Sequence, residues 1–265
     1  MGPTRHEDAL LDDLLNLAKI LALKAVTRHQ QGPLGPILKK STQTDPVTQV
    51  DTDSEHLIVD ALRSERPDDG ILGEEGTQSP GKSGFLWVID PLDGTVNYLY
   101  GIPSHAVSIA VEYQGKPIVG VVHDSALNNV YSARLGGGAF CNGQAIAVTN
   151  ETRLSHTLLG TGFSYSPKER LKQSGALVSL APKVRDIRRS GCCALDLCWT
   201  AAGQLDAFYE RGPHPWDVQA GVIIVQEAGG QANYDVDSKK IVASGTGIWA
   251  ALNRAVLNAE KNIDA

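Results

Sequence analysis

Apolar side chains recur every three or four residues in the first part of the chain, which is the spacing of one helix face. The pattern predicts a helix over residues 8–30, ended by Gly-Pro steps, and a second over residues 54–66, ended by Pro67. The segment between them, residues 39–51, is polar and too long for a simple connector. Segments of this kind in compact domains are often functional.

Short apolar runs separated by turn residues follow, and they predict strands. One run ends at Asp90, and three further strands are expected at residues 105–113, 116–124 and 128–134. Residues 1–150 are therefore predicted to form an α+β half, in which two helices pack on an antiparallel sheet.

Strands alternate with helices after residue 150, which is typical of an α/β arrangement. The strand candidates are residues 158–162, 184–188, 206–209 and 241–244. The helix candidates are residues 168–180, 193–202, 217–228 and 246–259. No low-complexity linker separates the halves, so residues 151–265 are expected to pack tightly on the first half, as a second domain or as part of one.

Composition narrows the class of protein. The net charge of the 265 residues is −6, which argues against a nucleic-acid-binding surface. The four cysteines form no CxxC pair, so free thiols are expected and a zinc site is not. No apolar stretch approaches the ~20 residues that cross a bilayer. Residues 1–13 contain no apolar signal core, so no membrane association and a cytoplasmic location are expected.

Acidic residues stand at predicted element ends in three separate parts of the chain. They are Glu74-Glu75, the Asp90-Pro-Leu-Asp93-Gly-Thr95 run, and Glu210 with Pro-Trp-Asp217. Each alone has a plain structural explanation, such as an acidic turn or, for Asp217, a helix N-cap. Together they favour a cation site, because two-metal phosphate chemistry needs carboxylates that converge from several elements.

These motifs resemble the signature of the inositol monophosphatase family, whose members are Mg²⁺-dependent, lithium-sensitive phosphatases. The resemblance extends over nearly the whole chain and includes residues 45–51, 90–97, 138–143, 216–221 and 227–230. It implies a layered α/β/α/β/α sugar-phosphatase fold, in which the second half completes the substrate site. It also implies a homodimer, although no residue pattern locates the interface.

The resemblance assigns metal and catalytic roles to matching residues. The implied metal ligands are Glu74, Asp90, the carbonyl group of Leu92, Asp93 and Asp217. They would hold two or three Mg²⁺ ions, with Asp90 bridging two of them. Thr95, with Asp51 as its proton relay, would help to deprotonate the attacking water. Glu74 is the third residue to which the resemblance assigns a catalytic role.

The resemblance also assigns a substrate site. Its implied residues are Asp93, Gly94, Thr95, Gly191, Cys192, Cys193, Glu210 and Asp217. The backbone N–H groups of Gly94 and Thr95 would receive the phosphate. Cys192 and Cys193 replace the Ala, Ser or Thr that the family more often has there, and we interpret them as buried packing residues rather than nucleophiles.

Basic residues offer weaker candidates. Lys40 resembles a basic residue in the metal-binding loop of the family, although it is also half of an ordinary Lys-Lys pair. Arg185, Arg188 and Arg189 could form a phosphate-binding cluster. Because they alternate along a predicted strand, we interpret them instead as a solvated or interface face.

The sequence therefore predicts Mg²⁺-dependent hydrolysis of a small phosphorylated alcohol. Myo-inositol 1-phosphate is the leading substrate, since Glu210 can accept hydrogen bonds from ring hydroxyls. Histidinol phosphate competes with it, because a basic amino-alcohol also suits a carboxylate. Fructose 1,6-bisphosphate and 3′-phosphoadenosine 5′-phosphate would require an extra cationic pocket, for which the sequence offers no clear candidate.

A non-catalytic regulatory binding protein with the same fold is the alternative from a different class. The intact carboxylates argue against it, because closely packed carboxylates without a cation repel each other.

Overall fold

Helical layers and two β-sheets alternate in the computed structural model, which describes residues 5–32, 38–39 and 46–261. The expected layered α/β fold is confirmed. The helices are α1 (Arg5–His29), α2 (Gln49–Glu65), α3 (Thr95–Tyr100), α4 (Pro167–Leu180), α5 (Cys193–Ala201), α6 (Pro215–Glu227) and α7 (Trp249–Lys261). Two 3₁₀ turns lie at Leu154–His156 and Ala181–Lys183.

The first half carries a two-stranded ladder and an eight-stranded sheet. The ladder pairs β1 (Leu38–Lys39) with β2 (Pro46–Val47). The strands of the sheet are β3 (Gly70–Gly73), β4 (Gln78–Ser79), β5 (Phe85–Asp93), β6 (Ala106–Tyr113), β7 (Lys116–Asp124), β8 (Val130–Arg134), β9 (Gly138–Cys141) and β10 (Gln144–Ala145). Their order is β10-β9-β8-β7-β6-β5-β3-β4.

One pair departs from the predicted antiparallel sheet. Strand β3 runs parallel to β5, whereas all other neighbours in this sheet are antiparallel. The reason is the path of the chain, which passes down the edge strand β4 before it enters β5 on the other side of β3.

The second sheet is mixed. Its strands are β11 (Leu158–Thr161), β12 (Asp186–Arg188), β13 (Ala207–Arg211), β14 (Gln231–Asp235) and β15 (Lys240–Ser244), in the order β12-β11-β13-β15-β14. Strand β11 is parallel to both of its neighbours, and the other pairs are antiparallel. The sequence did not predict β14, because this half-exposed edge strand is polar and contains no apolar run.

Two helices differ from the sequence prediction: one begins earlier than expected, and the other was not predicted. Helix α2 begins at Gln49, five residues before the predicted start at residue 54. Thr48 caps it, since its hydroxyl accepts the Val50 N–H at 3.1 Å, while Asp51 accepts the Thr48 N–H at 2.8 Å. The six-residue helix α3 was also missed. Lys40 and the start of the residue 45–51 motif lie outside the described residues.

Three core clusters fill the spaces between the layers. One packs α1 and α2 on the first sheet, and another packs α4 and α7 on the second. The third contains α5, α6 and the inner faces of both sheets, with Val88, Leu195 and Phe208 fully buried. Because this cluster draws residues from both halves, we propose that residues 1–150 and 151–265 fold as one unit. No helix in the described part of the chain could span a membrane.

We expect Gly221→Val to destabilise the protein, because Gly221 lies where α6 crosses α5. A Cβ atom at this position would lie 2.5 Å from Leu197 Cβ. Overpacking of this kind costs about 1–3 kcal/mol, which urea unfolding would measure. Gly175→Ala, on the exposed face of α4, is the matched control and should leave stability equal or slightly higher. An unchanged midpoint for Gly221→Val would contradict a tight crossing.

Candidate active site

The strand that carries Asp90 and Asp93 is irregular at its end. The pairing of β5 with β6 shifts register between these two residues. Pro91 lies inside the irregularity and has no N–H to donate, and a bulge of this kind re-aims the side chains around it. Asp90 Oδ1 accepts the Leu92 N–H at 3.0 Å. The backbone of the bulge therefore holds one carboxylate in place.

Gly94 and Thr95 follow directly and start α3. Gly94 has φ of +86°, and a Cβ atom there would lie 2.8 Å from the Ser104 carbonyl oxygen, so this step requires glycine. The Thr95 hydroxyl oxygen lies 3.0 Å from both Asp51 Oδ1 and the Leu92 carbonyl oxygen. Because a hydroxyl has one proton, it donates to one of these acceptors at a time.

The turn that carries Glu74 is held by a buried carboxylate from α2. Glu55 accepts the Glu75 N–H at 2.7 Å and the Thr77 N–H at 3.1 Å. The Glu74 N–H donates to the Ile89 carbonyl at 3.1 Å. These bonds place Glu74 beside the end of β5, next to the bulge.

His29, at the end of α1, supports the bulge from behind. Its Nε2 lies 2.9 Å from the Pro91 carbonyl oxygen, and its Nδ1 lies 2.8 Å from Ser125 Oγ. Since a carbonyl can only accept, Nε2 carries the proton and Nδ1 accepts from the serine hydroxyl. Burial, assisted by nearby His105, lowers the pKa of His29 to about 3, so the ring is neutral near pH 7. No motif in the sequence marks this residue.

The second half of the chain holds Asp93. Its Oδ2 accepts the Ala194 N–H at 2.7 Å and the Cys192 thiol at 3.2 Å. Burial raises the pKa of the Cys192 and Cys193 thiols well above the usual value. Both thiols therefore stay protonated and are poor nucleophiles. Cys192 has in addition a donor role that its sequence context did not show.

Asp217 stands in the first turn of α6. Its Oδ2 accepts the His214 N–H at 2.6 Å, so it does serve as part of the helix cap. A hydrogen bond at the neighbouring residue joins the two halves of the chain, because the Ser108 hydroxyl donates to the Trp216 carbonyl at 3.0 Å. Ser108 is also the partner of Asp90 in the β5–β6 pairing. The start of α6 therefore lies beside the bulge.

These elements surround one cavity of about 390 Å³. All of the site residues expected from the sequence except Asp51 line it, namely Glu74, Asp90, Leu92, Asp93, Gly94, Thr95, Gly191, Cys192, Cys193, Glu210 and Asp217. Asp51 is fully buried and is linked to the cavity through the Thr95 hydroxyl. The residues were expected from separate parts of the sequence, and the fold brings them to one place.

The pKa values of several carboxyl groups in the cavity are raised by their surroundings. Burial, followed by repulsion from neighbouring carboxylates, raises the pKa of Asp90 and of Asp217 well above the usual value. Burial also raises the pKa of Asp93 to about 6 and that of Glu210 to about 8. A carboxylate in such surroundings favours a proton or a cation as its partner.

The donor set suits a hard cation, because four carboxylates and the Leu92 carbonyl group offer only oxygen atoms. Across residues 5–32, 38–39 and 46–261, no three His, Cys, Asp or Glu side chains are close enough together to form a preformed metal site. The side chains thus share a cavity without forming a ready coordination shell. The ligand assignment remains a prediction.

Two charged residues of the cavity wall were not among the site residues expected from the sequence. Arg189 is exposed, as a solvated residue would be, but it also lines the cavity. It lies beyond β12, which ends at Arg188, and Arg188 pairs with Asp186 at 2.6 Å. Asp196, on the apolar helix α5, is buried, and burial raises its pKa. A charge inside so apolar a segment was the available signal.

Comparison with known proteins identifies the family. The family model for the inositol monophosphatase family matches residues 12–262. The inositol-1-monophosphatase SuhB of Mycobacterium tuberculosis is 49% identical over 205 residues, which cover 74% of this chain and 70% of that protein. The Nus factor SuhB of Xylella fastidiosa is 45% identical over 197 residues, with 73% and 70% covered.

Solved structures agree. Mycobacterium tuberculosis SuhB superposes with a TM-score of 0.82 at 42% identity, covering 94% of this chain and 97% of that one. The Thermotoga maritima IMPase gives a TM-score of 0.86 at 33% identity, covering 95% and 99%. The layered fold and its acidic cavity are those of a phosphoric monoester hydrolase. The chain belongs to the inositol monophosphatase family, whose members are generally metal-dependent and act on small phosphorylated substrates.

We expect the stability of the chelator-treated protein to fall as the pH rises, in part because of Glu210. The pKa of this carboxyl is raised from 4.5 to about 8 by burial, so the folded state binds its proton more tightly than the unfolded state. Its contribution is complete below pH 4.5 and is lost as the pH rises through 8. It should amount to a few kcal/mol, since one pKa unit is about 1.4 kcal/mol.

Urea unfolding at several pH values would measure this slope. Glu210→Gln should flatten it, whereas Glu65→Gln, at an exposed position on α2, is the control and should not. Equal slopes for wild type and Glu210→Gln would contradict the raised pKa.

Proposed function

We propose that this protein is a Mg²⁺-dependent phosphatase that hydrolyses myo-inositol 1-phosphate to inositol and phosphate. The observation that supports it best is the shared cavity of Glu74, Asp90, Asp93 and Asp217, which come from both halves of the chain. Relatives named inositol-1-monophosphatase support it as well. These four residues and the Leu92 carbonyl group would hold two or three Mg²⁺ ions, which would activate water and neutralise phosphate charge.

Thr95 is the proposed proton acceptor for the attacking water. Its hydroxyl oxygen takes that proton as it donates its own to Asp51 Oδ1, 3.0 Å away. Asp51 is held for this role by Thr48, whose N–H and hydroxyl both donate to its other oxygen. Glu74 also lines the cavity and completes the proposed catalytic set.

The remaining residues bind the substrate in this proposal. The backbone N–H groups of Gly94 and Thr95 receive the phosphate. The alcohol lies between Asp93, Glu210 and the turn from Gly191 to Cys193, all of which line the cavity. The carboxyl group of Glu210 can hydrogen-bond ring hydroxyls in either protonation state.

Other functions are compatible with the same cavity. Histidinol phosphate, fructose 1,6-bisphosphate and 3′-phosphoadenosine 5′-phosphate are the alternative substrates. A regulatory binding role is the alternative from a different class, and relatives named Nus factor SuhB keep it open. Phosphate release from each of the four esters, with and without Mg²⁺, distinguishes these functions, because a pure scaffold releases phosphate from none of them. The proposal also includes a homodimer, which the family resemblance supports. It includes a cytoplasmic location, which the four free cysteines support.

We expect Asp93→Asn to abolish turnover while the fold is retained. The substitution removes a negative charge at nearly constant volume, and loss of a metal ligand should lower kcat by about 100-fold or more. Phosphate release in Mg²⁺ measures activity, and circular dichroism checks the fold. Asp60→Asn, an exposed carboxylate on α2, is the control. An active Asp93→Asn enzyme would exclude the assigned role.

Li⁺ should inhibit phosphate release by the wild-type enzyme.

We expect Thr95→Ala to lower kcat by about 10²-fold or more, because a positioned proton acceptor contributes at least that much. Thr95→Ser keeps the hydroxyl and is the matched control, so it should retain most of the activity. The steady-state kcat on inositol 1-phosphate at saturating Mg²⁺ is the measurement. If the alanine and serine variants lost activity equally, the hydroxyl would not be the acting group.

A further inference from the structure

His29 is a buried histidine that the proposed reaction does not use, although it contacts the strand end that carries the expected metal ligands. It is the last residue of α1, and its ring lies behind the bulge of β5. A polar ring is costly to bury unless its nitrogen atoms have partners. Both nitrogens have one, namely the Pro91 carbonyl and the Ser125 hydroxyl. The contact with Pro91 connects the ring to Asp90.

The peptide group between Pro91 and Leu92 is held at both of its ends. Its carbonyl oxygen accepts from His29 Nε2 at 2.9 Å, and its N–H donates to Asp90 Oδ1 at 3.0 Å. Because a peptide group is planar, a rotation that breaks one of these bonds also displaces the other. Donation to the carbonyl also polarises the group and makes its N–H a stronger donor. The imidazole therefore fixes the N–H group that holds the Asp90 carboxylate.

The imidazole ring is itself fixed from several sides. The Ser125 hydroxyl donates to Nδ1 at 2.8 Å, which leaves the proton on Nε2. The Tyr98 hydroxyl donates to the His29 carbonyl at 2.8 Å, and the His105 ring lies edge-on, 6.5 Å away between ring centroids. Burial lowers the pKa of His29 to about 3, so its ring places no positive charge behind the cation site near pH 7. His29 is thus a neutral donor in one position.

We propose that His29 is a positioning residue for cation binding, which holds the Pro91–Leu92 peptide group so that Asp90 and the Leu92 carbonyl are ready for Mg²⁺. This inference rests on the proposed metal-dependent phosphatase function. Partners that orient a metal ligand from outside the coordination shell typically contribute about 10–100-fold in affinity. His29 contacts neither the substrate nor the attacking water in this proposal. Its loss should therefore act on cation binding more than on the chemical step.

The test is Mg²⁺ binding, measured by titration calorimetry without substrate in wild type, His29→Phe and His29→Gln. Phenylalanine keeps a ring but donates no hydrogen bond, so the Kd for Mg²⁺ should rise about tenfold or more. Glutamine keeps a neutral N–H donor and should restore most of the affinity. His56→Phe, the same substitution at an exposed position of α2, is the matched control and should leave the Kd unchanged.

Two further measurements separate positioning from a purely structural role. In steady-state kinetics on inositol 1-phosphate, the Mg²⁺ concentration for half-maximal activity should rise in His29→Phe, while kcat at saturating Mg²⁺ should change much less. Urea unfolding in chelator shows whether each variant folds, and a purely structural role would lower its midpoint without changing the Kd. If His29→Phe did not fold, Ser125→Ala would provide the test. It removes the donor that fixes the tautomer and should also raise the Kd, and an unchanged value would contradict the proposal.

Two results in folded variants would overturn the inference. One is an unchanged Kd in His29→Phe, and the other is an equal loss in His29→Phe and His29→Gln, because the N–H group would then not be responsible. If wild type bound Mg²⁺ and His29→Phe bound it more weakly, but no ester released phosphate, the phosphatase proposal would fail while the positioning role stood. If wild type released phosphate and both proteins had the same Kd, only the positioning role would fail. A wild type that bound no Mg²⁺ would overturn both.

Discussion

Mutual repulsion between buried carboxylates is the constraint that shapes this structure. Three aspartates that face the cavity are each fixed by a backbone N–H group, from Leu92 for Asp90, from Ala194 for Asp93 and from His214 for Asp217. A hydrogen bond from the backbone favours the charged form of a carboxylate. The bulge, the start of α5 and the start of α6 can therefore be understood as supports that keep like charges together against repulsion and desolvation.

The second requirement is that the supports come from both halves. Helices α5 and α6 lie between the two sheets, and their close crossing at Gly221 sets where their first turns point. The Ser108 bond to the Trp216 carbonyl then joins α6 to the strand beside Asp90. Packing deep in the middle layer thus determines the relative position of side chains at its edge.

Local patterns predicted most of the fold, since helix faces and apolar strands leave a periodic signal. Parallel pairing of β3 with β5, the polar edge strand β14 and the early start of α2 were missed because they depend on chain path, edge position and a cap rather than on periodicity. The carboxylates of the site could be predicted because they follow strand ends in recognisable motifs. His29 could not, since its bond to the Pro91 carbonyl joins residues far apart in sequence. Arg189 was not expected at the site because it was grouped with Arg185 and Arg188 on a strand face, whereas it lies beyond the end of β12 and lines the cavity.

The bond between Asp93 and the Ala194 N–H has a consequence for how such a chain can vary. It joins a strand of the first half to a helix of the second, in a core that both halves share. A hybrid protein assembled from the halves of two distant relatives would have to match this contact and the shared core from both sides at once. The residues on either side of residue 150 are therefore expected to vary together rather than independently.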